Sequence, residues 1–161
     1  MVYFTLARCL AFAFIGTLLF WPGEIAAASA EVSITKGQTV YVPVYSNVYS
    51  GPRKRPLQLA TMLSIRNVDP AAAMKITTIE YFDNDGRFVS RHITAPLSLG
   101  PLSTHHVYLE EKDKRGGFGA SFIVRWGAEK PINAPIIECV MIGASGGQGI
   151  SFVSPGQEIR E

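Results

Sequence analysis

Beyond residue 30, no segment sustains apolar residues at i, i+3, i+4 and i+7 for three turns. Short runs rich in Val, Ile, Thr, Tyr and Phe recur instead between clusters of Gly, Pro, Asn and Asp, a pattern that predicts strands rather than helices. In residues 39–45, Val40, Val42 and Val44 alternate with Tyr41, Pro43 and Tyr45. Pro43 has no N–H to give to a ladder, so this strand is expected at a sheet edge or beside a bulge. Residues 57–66 hold the longest alternation, with Leu57, Leu59, Thr61, Leu63 and Ile65 on one face, which suits the centre of a sheet. Asn67-Val68-Asp69-Pro70 has the turn chemistry to end it. The run 74–82 meets Asp83-Asn84-Asp85-Gly86 before 87–92 resumes extended character, a hairpin signal.

Residues 97–99 read as a short strand closed by Gly100-Pro101, residues 104–110 as the next, and the mixed-charge stretch 110–117 as a solvated loop. Phe118, Ala120, Phe122, Val124 and Trp126 fall on one face of a strong strand. Pro131 and Pro135 bracket a connection to 136–142, whose unbroken apolar character suits a strand buried on both faces. The glycine-rich stretch 143–149 reads as a flexible connection to a last strand, 150–154. Eight or nine strands with no helix to cover a parallel sheet predict an all-β fold. The expected architecture is a two-sheet antiparallel sandwich of immunoglobulin-like or jelly-roll type.

The first thirty residues follow another pattern, since 22 of them are hydrophobic against 54 of the remaining 131. Arg8 precedes a 13-residue apolar run, Cys9 to Trp21, then Pro22-Gly23 breaks it, and Ala28-Ser29-Ala30 offers small residues at the spacing signal peptidase reads. The expectation is a signal peptide helix over residues 1–30, cleaved after Ala30, followed by one β-sandwich domain over 31–161. Thirteen residues fall short of the roughly 20 that a spanning helix needs, so no stable membrane span is expected after cleavage. Export places the chain in the periplasm or outside the cell.

Composition narrows the function classes. With 161 residues, 47% hydrophobic and 17% charged, the chain is neither disordered nor long enough for two ordinary domains. A formal charge of +2 is too small for an electrostatically driven nucleic-acid binder. Of the two cysteines, Cys9 leaves with the signal segment, so Cys139 cannot form an intramolecular disulfide and reads as a packed thiol.

Sites for chemistry are sparse. Gly-x-Ser-x-Gly does not occur, and the glycine-rich loop is followed by neither Lys-Ser/Thr nor a helix. Asp83-Asn84-Asp85-Gly86 lacks the later bidentate Glu of a calcium loop, because His92 stands six residues after Gly86. His105 and His106 are neighbours on a strand and point to opposite faces; His92 could join one of them. No catalytic residue, metal ligand set or cofactor is therefore assigned. Glu138 shares a face with Ile136, Val140 and Ile142, so it is expected partly inside, paired with Arg66 or Arg125 in a buried ion pair.

The conspicuous surface constellation is Tyr41, Tyr45 and Tyr49 followed by Arg53-Lys54-Arg55 between Pro52 and Pro56. Four-residue spacing puts Tyr41 and Tyr45 on one strand face, with Tyr49 beyond the strand end. Tyrosines beside a basic loop combine rigid area, hydrogen bonding and charge, as partner and glycan surfaces do.

The strings Tyr41-Val-Pro-Val-Tyr-Ser46, Leu63-Ser-Ile-Arg-Asn67, Leu97-Ser-Leu-Gly-Pro101 and Gly149-Ile-Ser-Phe-Val-Ser154 resemble the blocks of domain-of-unknown-function family 3124, small exported bacterial proteins. The resemblance implies export and a β-rich single domain, and no activity. A fainter likeness in strand order is to the sensory rhodopsin transducer family, a soluble β-sandwich that oligomerises; this is fold analogy and assigns no function. Together these readings predict a noncatalytic binding or interaction module of the cell envelope. Its partner would be another envelope protein or a small ligand, with sheet edges open to a second copy. The alternative is a metal-handling protein or small hydrolase using Glu138 and one or more of the histidines His92, His105 and His106.

Overall fold

The computed structural model describes residues 33–50 and 53–160. The expected signal peptide, its cleavage point after Ala30 and Cys9 lie outside the described residues. Twelve strands follow in order: β1 (Ile34–Val44), β2 (Asn47–Ser50), β3 (Arg55–Gln58), β4 (Ala60–Arg66), β5 (Met74–Phe82) and β6 (Phe88–Arg91), then β7 (Leu97–Leu99), β8 (Thr104–Leu109), β9 (Ala120–Asn133), β10 (Ile136–Ser145), β11 (Gln148–Pro155) and β12 (Gln157–Ile159). The fold is all-β, a sandwich of two main antiparallel sheets. A six-stranded sheet runs β12-β1-β9-β5-β6 with β7 also on β5, a four-stranded sheet runs β11-β10-β4-β8, and β2 and β3 form a separate hairpin. The count exceeds eight or nine because the run 57–66 divides between β3 and β4, and because β2 and β12 are too short for alternation to reveal them.

Alternation builds the core. Val42, Phe122 and Tyr81 lie in one row across β1, β9 and β5 and are fully buried. Leu63 and Ile65 on β4, with Cys139 and Met141 on β10, oppose them from the other sheet and are equally inaccessible. Facing apolar layers of this kind are what hold two sheets together. The chain steps from one sheet to the other at Gly156, whose N–H donates to the Ile137 carbonyl (2.8 Å). Asn67, buried, fixes the end of β4: its Nδ2 donates to the carbonyls of Ala72, Leu99 and Gly100 at 2.8, 3.2 and 2.9 Å. Asp69 beside it accepts from the N–H groups of Ala71, Ala72 and Asn133.

Pro43 sits where β12 does not reach, since β12 pairs only Thr39 to Tyr41. Thus β1 is internal along part of its length and open on one side at its proline. Pro131 is a correction, for it lies within β9 rather than in a connection. Between the pairs Gly37↔Gly127 and Thr35↔Ile132 the ladder shifts, so Pro131 falls in a bulge that needs no donor from it. The stretch 143–149 is no flexible loop either. Strands β10 and β11 pair as far as Ser145↔Gln148, and Gly146-Gly147, at φ +60° and +80°, makes a two-residue turn. Two positive φ values are the geometry of a type I′ hairpin.

β10 is buried on one face only. Ile137, Cys139 and Met141 point inward, while Ile136 and Ile142 on the other face are 49% and 55% exposed. Both faces carry apolar side chains, so periodicity could not show that only one is covered.

Candidate functional site

After β1 ends at Val44, Ser46 turns the chain. Its N–H donates to the Gly117 carbonyl (3.1 Å), its own carbonyl accepts from the Leu59 N–H (3.0 Å), and its hydroxyl lies 3.2 Å from the Tyr81 hydroxyl. These contacts clamp the base of the β2–β3 hairpin, in which Val48 faces Leu57 and Tyr49 faces Pro56. Val48 and Leu57 pack against the core, and Arg53, Lys54 and Arg55 form the exposed far end, Lys54 at φ +47°. Among the described residues, none of the three basic side chains has an acidic partner.

Four rings run back from the hairpin. Tyr49 stacks on Phe118 at 6.1 Å, Tyr45 meets Phe118 edge-on at 5.5 Å, and Tyr45 also meets Phe152 edge-on at 5.7 Å. Tyr49 and Phe118 are 62% and 50% exposed, whereas Tyr45 and Phe152 are half-buried against the core. The arrangement offers an aromatic shelf with the exposed Tyr49 at its end and, beside it, three cations with no acidic partner among the described residues. Such a surface can stack on a flat or ring-bearing group and attract an anion.

Phe118 does not share the strand face of Ala120, Phe122, Val124 and Trp126 on which its spacing places it. β9 begins at Ala120, and Phe118 follows Gly116-Gly117, the latter at φ +72°. Two glycines before it were the signal that the strand had not yet started. Tyr41 also moves out of the constellation. It lies on the outer face of the six-stranded sheet, in a row with Gln157 and Ile123, whereas Tyr45 is past the end of β1. The four-residue spacing therefore does not give a shared face.

The expected buried ion pair is corrected on two counts. Glu138 faces outward from the four-stranded sheet with its side chain 25% exposed, and Arg66 approaches it only to 4.0 Å while itself 53% exposed. Arg125 belongs to the other sheet, where its Nη1 lies 3.3 Å from Glu80, the carboxylate that also binds Arg91 at 2.5 Å. Burial does drive Cys139: its thiol is fully inaccessible and its pKa is pushed far up by desolvation.

The histidines do not converge. His92 is half-buried edge-on to Tyr81 and Phe122, its Nε2 3.1 Å from the Ser90 hydroxyl. His106 shares a row with Ser64 and Glu138 on the outer face of the four-stranded sheet, but the Ser64 hydroxyl accepts from Arg66 Nε at 3.0 Å. Among the described residues there is no group of three His, Cys, Asp or Glu able to hold a metal. A cleft of about 780 Å³ beside β5 and β9 is lined by Lys75, Ser98, Glu129 and Lys130 among others; it gathers charges of both signs and no catalytic set. Among the described residues no helix is long and apolar enough to cross a membrane.

The family described as Protein of unknown function (DUF3124) matches residues 37–159. No curated relative matches the chain. Among solved structures, the chain is similar to one described as the crystal structure of Thermotoga maritima 1070, at 13% identity, over 74% of this chain and 92% of that one, with a TM-score of 0.45. The likeness to the sensory rhodopsin transducer family finds no support in these comparisons.

Proposed function

Since the chain belongs to the DUF3124 family, we propose that it is a noncatalytic binding module of the cell envelope, exported by its N-terminal segment and cleaved after Ala30. It engages an acidic partner through the β2–β3 hairpin. One observation carries this reading: the rings of Tyr49, Phe118 and Tyr45 form an accessible shelf beside Arg53, Lys54 and Arg55, which have no acid to neutralise them among the described residues. A fold under no functional constraint has no need to hold two large rings half in water next to three cations. The metal-handling or hydrolytic reading has less behind it, because Glu138, His92 and His106 lack the mutual hydrogen bonds that an acid–base set requires.

Polygalacturonate supplies both carboxylates and stackable rings and is a suitable probe. The wild-type chain should be retained on it at low salt and released as salt rises. Arg53→Glu with Arg55→Glu should abolish retention without lowering the melting temperature, and Phe118→Ala should weaken it by about tenfold. Equal retention of wild type and the charge-reversed variant, or none by wild type, would refute the assignment.

A further inference from the structure

We propose that the outer face of the β11-β10-β4-β8 sheet is where a second copy of this chain docks, sheet against sheet. Val153, Val140, Met62 and Tyr108 stand in register across all four strands, and Val153, Met62 and Tyr108 are 54%, 40% and 59% exposed. Ile136 and Ile142 flank this row on β10. Antiparallel sheets that face water on one side carry polar residues there, and the six-stranded sheet obeys that rule in part, with Tyr41, Phe88 and Ile159 scattered among its polar positions. Its outer face holds Glu80 tied to Arg91 and Arg125. The four-stranded sheet breaks it with a contiguous apolar row, the signature of a covered surface.

Self-complementarity selects a second copy as the occupant. Glu138 and Arg66 lie together on this face at 4.0 Å, both partly solvated. An isologous contact sets the face against itself, so acid and base can exchange partners across the two-fold and no like charges are forced together. With no net charge from this pair, the face has nothing to steer a strongly charged partner. Four strands about 4.8 Å apart and seven residues long make a face of roughly 450 Å², below the roughly 800 Å² per partner of a standard interface and of the size that holds a weak, reversible contact.

This inference does not rest on the hairpin site, with which it shares no residue. The test is sedimentation velocity of the full chain, purified as the cell delivers it, between about 1 and 100 μM. A dimer that dissociates on dilution is expected. Val140→Glu should weaken it at least about tenfold with the far-ultraviolet spectrum unchanged, and Lys75→Glu on the other sheet should leave it intact. Should Val140→Glu fail to fold, Tyr108→Glu, at an exposed position of an edge strand, gives the same reading. A monomer at 100 μM overturns the proposal. So does a dimer or larger species that survives the substitution at Val140 or Tyr108, because that result puts the contact at a sheet edge.

Discussion

Tyr81 dictates the glycine at position 116. The tyrosine is fully buried and its hydroxyl meets Ser46 at 3.2 Å; a Cβ at 116 would fall on that hydroxyl and 2.7 Å from the Ala120 Cβ. Gly116→Ala should therefore lower the unfolding free energy by about 1–3 kcal/mol, as overpacking does, and adding Tyr81→Phe should recover part of it; urea titration reads both. Glu138→Gln should do little. The pair with Arg66 is long and half in water, so its loss should stay within about 0.5 kcal/mol, with a nearly unmoved melting temperature. Protonation has clearer effects. His92 ionises below its ordinary 6.5 because burial disfavours the cation, with Arg115 adding repulsion. The folded state thus takes up its proton later than the unfolded one, and stability falls as pH drops below 6.5. Asp69, Glu80 and Asp113 are held below their ordinary 3.8, 4.5 and 3.8. The leading causes are the Ala71 N–H, Arg91 and Arg115 respectively. Their contribution is complete above those values and disappears as pH falls through the lower folded ones. His105 is likewise held below 6.5 by burial, with His106 adding repulsion, so the melting temperature should fall in two steps on acidification, and His92→Gln should shrink the first while leaving the second.

At the level of elements, the β10–β11 hairpin gives the sharpest test. No atom lies within 4 Å of a Cβ built at Gly146 or Gly147, so only backbone conformation opposes substitution there. Gly147→Ala should cost about 1–2 kcal/mol, whereas Gly146→Asn, giving the Asn-Gly pair that type I′ turns favour, should be tolerated; equal effects would show that the turn is not I′. Strands bounded by clear turn chemistry were readable from residues alone. β5 runs from Met74 to Phe82 and β7 from Leu97 to Leu99, as their flanking Asp-Gly and Gly-Pro pairs indicated. Other elements misled for definable reasons. In β10 an apolar outer face is indistinguishable from a buried one, because hydrophobicity reports the side chain and not what covers it. At the β2–β3 hairpin the basic triplet is legible in the sequence, but spacing alone does not reveal that the chain leaves β1 between Tyr41 and Tyr45. The stacking of Phe118 on Tyr49 joins residues 69 positions apart, a distance no local pattern spans.

On the scale of the whole molecule, the two sheets present different outer faces and the clamped β2–β3 hairpin stands apart from both pairings. The outer face of the six-stranded sheet holds the ion pairs around Glu80 among scattered apolar side chains such as Tyr41 and Phe88. The four-stranded sheet shows an apolar row, and the hairpin concentrates rings and cations that neither sheet needs for stability. The molecule's core is complete without the exposed Tyr49, Phe118 and basic residues, so they can be changed without unfolding it. The most direct test is backbone amide chemical-shift mapping of the wild-type chain titrated with polygalacturonate. Shifts concentrated at Tyr45, Tyr49, Arg53, Lys54, Arg55 and Phe118 are predicted, fading together as salt is added. Shifts centred elsewhere on the sandwich, or none at saturating probe, would contradict a binding role for the hairpin.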